Sequence, residues 1–350
     1  MKKISYLIYF LITIILFCQC QTTEYREPVN TFHQGDRVIK GSVNFLADTT
    51  QFTSFLIENS LSTRDLDDIA VDDKSALLLF SSGHLVRLNN NGSPKMLIDA
   101  QGRGPGEFLF PNVIKVRNGK IFILDFEQSK IAKFDLLGNH LSDIRLRLGL
   151  ANDFEILPDS SIVILNDVPQ RYEGNLFIVF NQNGKKIDAF GNNKILQPIL
   201  NKTDHIPFFS MNLFQSKNII LTSGLTGKSF LFSLRKKEKL SEFSIQQGPE
   251  WEKMQEDEKI MQKTSNLGKS FTEKVRDINY LQNGTIIKSW GGPFKGKKTV
   301  GMMFNKRGHF AGRIFGNTWL QHPPNSLAVE NDSTIWVYSQ GDELLSRVTF

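Results

Sequence analysis

Cysteine is nearly absent: the 350 residues hold two, Cys18 and Cys20, both at the N-terminal end. The rest of the chain has no disulfide staple and no thiol chemistry. A long apolar run is missing as well. The mainly apolar stretch from Ile4 to Phe17 covers 14 residues, short of the roughly 20 that a spanning helix needs. Histidine is scarce, and the six (His33, His84, His140, His205, His309, His322) share no repeated position. An excess of positive charge is lacking too. The net charge is +6, and Lys2 and Lys3 account for two of it, leaving +4. Without a Lys/Arg stripe, nucleic acid is excluded as a partner. The run Arg235-Lys236-Lys237 reads as a solvated turn. No Ser-His-Asp ordering, phosphate loop or pair of catalytic carboxylates stands out.

What is present begins with a leader. Lys2 and Lys3 form a basic start, Ile4–Phe17 an apolar centre, and Cys18-Gln19-Cys20 its end. This resembles a bacterial lipoprotein signal, in which one cysteine becomes the lipidated N-terminus. Cys20 suits that role because Phe17 then stands three residues before it, and Cys18 is the alternative. A plain cleaved signal or an uncleaved anchor are the other readings. Residues 1–20 are therefore assigned as signal peptide. Residues 21–36 are polar and aperiodic, and read as a tether.

Residues 37–350 repeat. One unit runs IAVDDKSALLLF to HLVRLNNNGSPKMLIDAQG. It returns as VIKVRNGKIFILD with KIAKFDLLGNHLSDIRLRLG, as FEILPDSSIVILN with NLFIVFNQNGKKIDAFG, and as MNLFQSKNIILTS with KSFLFSLRKKEKLSEFSIQQG. The fifth is INYLQNGTIIKSW with KTVGMMFNKRGHFAGRIFG, and the sixth LAVENDSTIWVYS with ELLSRVTF. Each unit offers four short strands, with first turns such as Asn118-Gly119 and Asn283-Gly284 and second turns holding Gly92, Gly138, Gly184 or Gly308. A period of about forty residues of up-and-down strands predicts an all-β, six-bladed β-propeller with four-stranded antiparallel blades. The sixth unit lacks a fourth strand. Phe52–Ile57, or the neighbouring Val38–Leu46, is expected to supply it and close the ring. One helical insertion is expected at about 249–268, where Trp251, Met254 and Met261 fall at helical spacing.

Gln101-Gly102-Arg103-Gly104-Pro105-Gly106-Glu107-Phe108 follows the fourth strand of the first unit. It resembles the G-x-G-P-G-E-F signature of the six-bladed propeller lipoproteins of Bacteroidetes-type bacteria, a group similar to NHL and TolB-like propellers. The repeats carry the likeness over about residues 45–350. It implies an exported, envelope-anchored propeller and supplies no catalytic set. By their chemistry, Gly102, Gly104 and Gly106 free the backbone, Pro105 stiffens it, Glu107 can accept from loop amides and Phe108 can pack between blades.

Strand alternation puts the interblade links and the second-to-third turns on one face. The long links Asn192–Pro207 and Pro249–Lys274 and the turns Val168–Gly174 and Gly291–Gly296 lie there, so binding is expected on that face near the central channel. Arg103, Asp125, Arg171, Tyr172, Trp290, Trp319 and His322 are the candidate contacts. Asp68, Asn112, Asp153, Asn212 and Asp277 recur near the starts of the inner strands. Such oxygen donors would suit a calcium ion, as in lactonase-type propellers, although they also cap strand entries. The residues favour a membrane-tethered, noncatalytic module that binds a small molecule or an envelope protein. The alternatives are a metal-dependent propeller hydrolase or lyase, and a scaffold or sensor subunit of an envelope complex.

Overall fold

A computed structural model describes residues 42–45, 49–62, 65–72, 75–89, 93–146, 151, 153–166, 174–200, 209–223, 228–244, 278–280, 286–294, 297–304, 310–315, 326–331, 333–339 and 344–349. The strands form six four-stranded sheets in which every pairing is antiparallel. Blade 1 is β2 (Leu66–Asp72), β3 (Ser75–Phe80), β4 (His84–Leu88) and β5 (Pro94–Asp99). Blade 2 is β6 (Pro111–Arg117), β7 (Lys120–Asp125), β8 (Lys130–Asp135) and β9 (His140–Arg145). Blade 3 is β10 (Phe154–Ile156), β11 (Ile162–Leu165), β12 (Asn175–Phe180) and β13 (Lys186–Asn192). Blade 4 is β14 (Phe209–Phe214), β15 (Asn218–Ser223), β16 (Lys228–Ser233) and β17 (Glu238–Ser244). Blade 5 is β18 (Ile278–Tyr280), β19 (Ile286–Phe294), β20 (Lys297–Phe304) and β21 (Phe310–Phe315).

Blade 6 joins the two ends of the chain. Its order is β22 (Ser326–Asn331), β23 (Thr334–Ser339), β24 (Leu344–Thr349) and then β1 (Ser42–Phe45). Ser42 stands opposite Thr349 and Phe45 opposite Ser346. The closing strand thus comes from within Val38–Leu46. The other expected segment, Phe52–Ile57, is not a strand but part of a helix, Thr49–Glu58. Phe52, Phe55 and Leu56 recur at spacings of three and four, so one helical stripe carries them into the apolar cluster shared with Leu66, Phe80 and Trp336, while Ile57 faces out. The first strand of each blade touches that of the next, and β22 touches β2, so the sheets stand in a closed ring around a channel.

Period-two alternation builds the packing. Ile121 and Ile123 of β7 enter the cluster with Leu77, Leu79 and Phe108 of the preceding side. Phe122 and Leu124 enter the cluster with Ile162, Ile164 and Phe180 of the following blade. Blades 1 to 4 are apolar on both faces of their inner strands because both are covered. Every fully buried Leu or Phe contributes about 1.5–3 kcal/mol of transfer free energy. In five blades the pairing of third and fourth strands skips one residue: Leu97, Leu141, Ile187, Leu240 or Ala311. The bulge twists the outer strand and blunts its free edge.

Two expected loops of the link face are ordered differently. The turn expected at Gly291–Gly296 is mostly strand, since β19 runs on to Phe294 after a register shift between Ser289 and Gly292. The described part of the link expected from Asn192 is packing. Asn192 Oδ1 accepts from Lys194 N at 2.9 Å and starts a helical turn whose Leu196 and Ile199 are buried between blades 3 and 4.

Candidate functional site

The Gly-rich motif is a clasp across blades 1 and 2. Gln101 and Phe108 form a parallel bridge, with Phe108 N donating to Ala100 O at 2.7 Å and Gly102 N to Phe108 O at 2.9 Å. Glu107 turns back and accepts from Gly104 N at 2.7 Å. Gly102 has φ +154°, and a Cβ there would run into the Glu107 carboxylate. The loop is then pinned to blade 2. Gln128 Nε2 donates to Gly102 O at 3.0 Å and Glu107 O at 3.2 Å. Lys130, 4% exposed, donates to Gly104 O at 3.0 Å and pairs with Asp143 at 3.3 Å. Asp143 also accepts from Gly106 N at 3.2 Å. Phe108 is buried 5.8 Å from Phe134, between the blades.

Asp125 belongs to this clasp and offers nothing to a ligand. It is fully buried and accepts from Leu109 N at 2.7 Å and from Gln128 N and Nε2 at 2.8 Å each. Arg103 faces solvent, as Gln101 and Pro105 also do; it is 79% exposed and 3.8 Å from Glu127. Trp290 falls on β19. Arg171, Tyr172, Trp319, His322 and Asp277 lie outside the described residues, as do Cys18, Cys20 and the stretch 249–268.

The channel wall brings together a set that the spacing argument only half found. Asp68 accepts from Ile69 N at 2.8 Å and from Ile114 N of blade 2 at 2.9 Å. Asp153 repeats the pattern one junction on, accepting from Phe154 N and from Met211 N of blade 4, each at 2.8 Å. Lys115 stands beside the second of them, its ammonium 3.7 Å from Asp153 and 3.2 Å from Glu155. Burial outweighs these partners. It pushes the Asp68 carboxyl from 3.8 up to about 6 and raises Asp153 and Glu155, although Lys115 pulls all three down. Lys115 and Glu155 escaped notice in the sequence. Their signal was a charge between apolar neighbours on an inner strand, Ile114-Lys115-Val116 and Phe154-Glu155-Ile156.

These residues do not fit a calcium ion. Asp68 and Asp153 commit both carboxylate oxygens to amides, and the Lys115 ammonium stands among them, repelling a cation. Asn212 donates its amide to Ser210 Oγ at 3.1 Å. Among the described members of the set, Asn112 keeps a buried Oδ1 with no partner. Among the described residues no group of three or more His, Cys, Asp or Glu could hold a metal.

Blade 1 holds a further constellation on the link face. Ser82 Oγ lies 2.8 Å from His84 Nδ1, and His84 Nε2 lies 3.0 Å from Asp99 Oδ1. The order Ser, His, Asp passed unseen in the sequence because two of its members are only two residues apart. The third meets His84 across the hairpin, as its direct partner in the β4–β5 register.

A family model described as a 6-bladed beta-propeller, DUF5128, matches residues 85–219, from β4 of blade 1 to β15 of blade 4. The chain is a β-propeller of six blades. Among solved structures, a Bacteroides fragilis NCTC 9343 protein described as exported is similar over 91% of this chain and 97% of its own, with TM-score 0.56 and 12% identity. A streptogramin B lyase is similar over 82% and 93%, with TM-score 0.50 and 10% identity. The hydrazine synthase of Kuenenia stuttgartiensis is similar over 82% and 96%, with TM-score 0.50 and 8% identity. At such identities the likeness is one of fold alone. No curated protein matches the propeller. No helix among the described residues is long and apolar enough to cross a membrane.

Proposed function

We propose that this propeller is exported, tethered to a membrane by a lipid on Cys20 (or Cys18), and binds a small molecule or an envelope protein beside the mouth of its channel, a site with no catalysis of its own. The Lys115 set carries this reading. Between the sheets, the described junctions of blades 1 to 4 and of blade 6 with blade 1 are packed with hydrocarbon, and the buried acids of the clasp meet donors. Against the channel, by contrast, Asp153 and Glu155 share the Lys115 ammonium, and burial holds both of them and Asp68 above the ordinary carboxyl range. Titratable groups kept at a cost to folding mark functional positions. Asp153 precedes β10 and Asp68 stands near the start of β2, so the set lies toward the end of the channel where the interblade links emerge. A polar ligand with an acid for Lys115 and a donor for Glu155 suits it.

The test is a thermal-shift screen of the chain without its leader and lipidated cysteine, residues 21–350, against polar metabolites, repeated on Lys115→Met and Glu155→Gln. A ligand of the channel loses its shift in both variants while their circular dichroism matches wild type. Ligands that stabilise all three proteins equally remove the channel from the binding site. Palmitate incorporation that survives in Cys20→Ser but not in the double Cys18/Cys20 variant would move the anchor to Cys18. Survival in both would remove the anchor.

A further inference from the structure

Ser82, His84 and Asp99 make a hydrogen-bonded relay on the link face of blade 1, and we propose that Ser82 is a nucleophile for acyl transfer, with carboxylic esters as the substrate class. The distances set the roles. Asp99 accepts from His84 Nε2–H at 3.0 Å, which fixes the neutral imidazole in the tautomer whose free lone pair is on Nδ1. That nitrogen lies 2.8 Å from Ser82 Oγ, placed to take its proton. Asp99 is 73% exposed and acts on the serine through His84, so it is a positioning residue.

The turn that presents Ser82 is held on both sides. Ser81 N donates to Asp65 O at 2.8 Å and Gly83 N to Phe80 O at 2.9 Å. Gly83 has φ +87°, and a Cβ there would press on Ala100 O at 3.3 Å and Gln101 N at 3.4 Å. A glycine is therefore required directly after the serine, and it lets the first residues of the clasp lie against the turn. Among the described residues the amides of Ser82 and Gln101 have no hydrogen-bond partner. Two such donors beside a nucleophile are what a developing oxyanion needs.

In the reaction Ser82 Oγ forms a bond to the ester carbonyl carbon while its proton passes to His84 Nδ1. The tetrahedral intermediate collapses as the C–O bond to the alcohol breaks, and the imidazolium protonates the departing alkoxide. Water then attacks the acyl-serine with His84 again taking the proton, which returns to Ser82 Oγ as the carboxylic acid leaves. The sequence needs water alone as co-reactant. It is independent of the channel, and either assignment can fail without the other.

A fluorophosphonate probe tests it on the mature chain. Wild type is expected to be labelled at Ser82, located by peptide mass spectrometry, and to hydrolyse p-nitrophenyl acetate. Ser82→Ala loses the label, whereas Ser81→Ala keeps it. His84→Ala slows labelling by about 100-fold or more. It also flattens the rise of the labelling rate with pH, an effect that a merely structural histidine would not have. Asp99→Asn slows labelling, and Asp99→Glu restores part of the rate. A folded wild-type protein left unlabelled, or labelled at Ser82 at the same rate in His84→Ala, overturns the proposal.

Discussion

The clasp between blades 1 and 2 and the wall of the channel both bury carboxylates, and they treat them in opposite ways. In the clasp, donors are supplied to every acid. Asp125 receives three hydrogen bonds, and Asp143 is met by Lys130, His140 and the Gly106 amide. On the channel wall Asp153 and Glu155 compete for Lys115, and burial lifts Asp68 to about 6. Donors that pin a loop lock a structure in place, whereas acids whose amide partners do not offset burial respond to what arrives. The contrast supports a stabilising role for the first region and the proposed binding role for the second.

The strongest way to break it is Asp125→Ala. That change orphans the Leu109 and Gln128 amides in a buried place and is expected to cost about 3 kcal/mol or more. The midpoint of urea unfolding measures it. A loss near zero would mean that the clasp is not structural.

The next largest effect is a pH dependence with a definite sign. The folded state holds the Asp68 proton up to about 6, well above the 3.8 of the unfolded chain. Between those values the native form binds more protons than the unfolded one, so stability falls as pH rises through this window. A rise from 3.8 to about 6 is worth about 3 kcal/mol at most. Asp153 and Glu155 are raised as well and act in the same direction. Asp68→Asn should flatten the slope of unfolding free energy against pH between about 4 and 6, the interval between the ordinary and the raised carboxyl values. An unchanged slope would place the excess acid elsewhere.

Lys115→Met sharpens the comparison further. The ammonium is about a quarter exposed, so its removal is expected to cost roughly 1–2 kcal/mol at neutral pH, less than a fully buried pair. The loss should shrink toward pH 5 as the orphaned carboxyls take up protons. Combining Lys115→Met with Glu155→Gln measures their coupling by a double-mutant cycle. Additive losses would show that the two groups do not act together.

How much of this could be read beforehand depends on the range of the interactions. Strand periodicity and turn chemistry are local, so Asn118-Gly119 and the alternation through β7 revealed the blades. The closing strand was legible because a missing fourth strand leaves an edge to cover. Phe52–Ile57 misled because six residues with apolar positions at three and four fit a short strand or a helical turn alike, and only the cluster with Trp336 decides. Asp68 and Asp153 were found by recurrence. Their partners, Ile114 N, Met211 N and Lys115, belong to other blades and carry no local mark. Asp125 was misplaced for the same reason: an acid at a strand end reads as surface until the neighbouring loop is seen to cover it.

The smallest expected effect separates the clasp from its own exposed member. Arg103 sits inside the motif but points away from every contact that holds it, and its one ion partner, Glu127, is 58% exposed at 3.8 Å. Arg103→Ala should change stability by less than about 0.5 kcal/mol, as exposed pairs do. Gly102→Ala, one residue earlier, forces the Glu107 carboxylate to move at a positive φ and should cost several times more. Neighbours in sequence would then differ because one belongs to the clasp and the other only to the face above it. If Arg103→Ala instead weakens a ligand identified on Lys115 while leaving the urea midpoint where it was, the binding surface reaches from the channel out over the motif. If it shifts the midpoint as far as Gly102→Ala, the division between a saturated clasp and an open face is drawn in the wrong place.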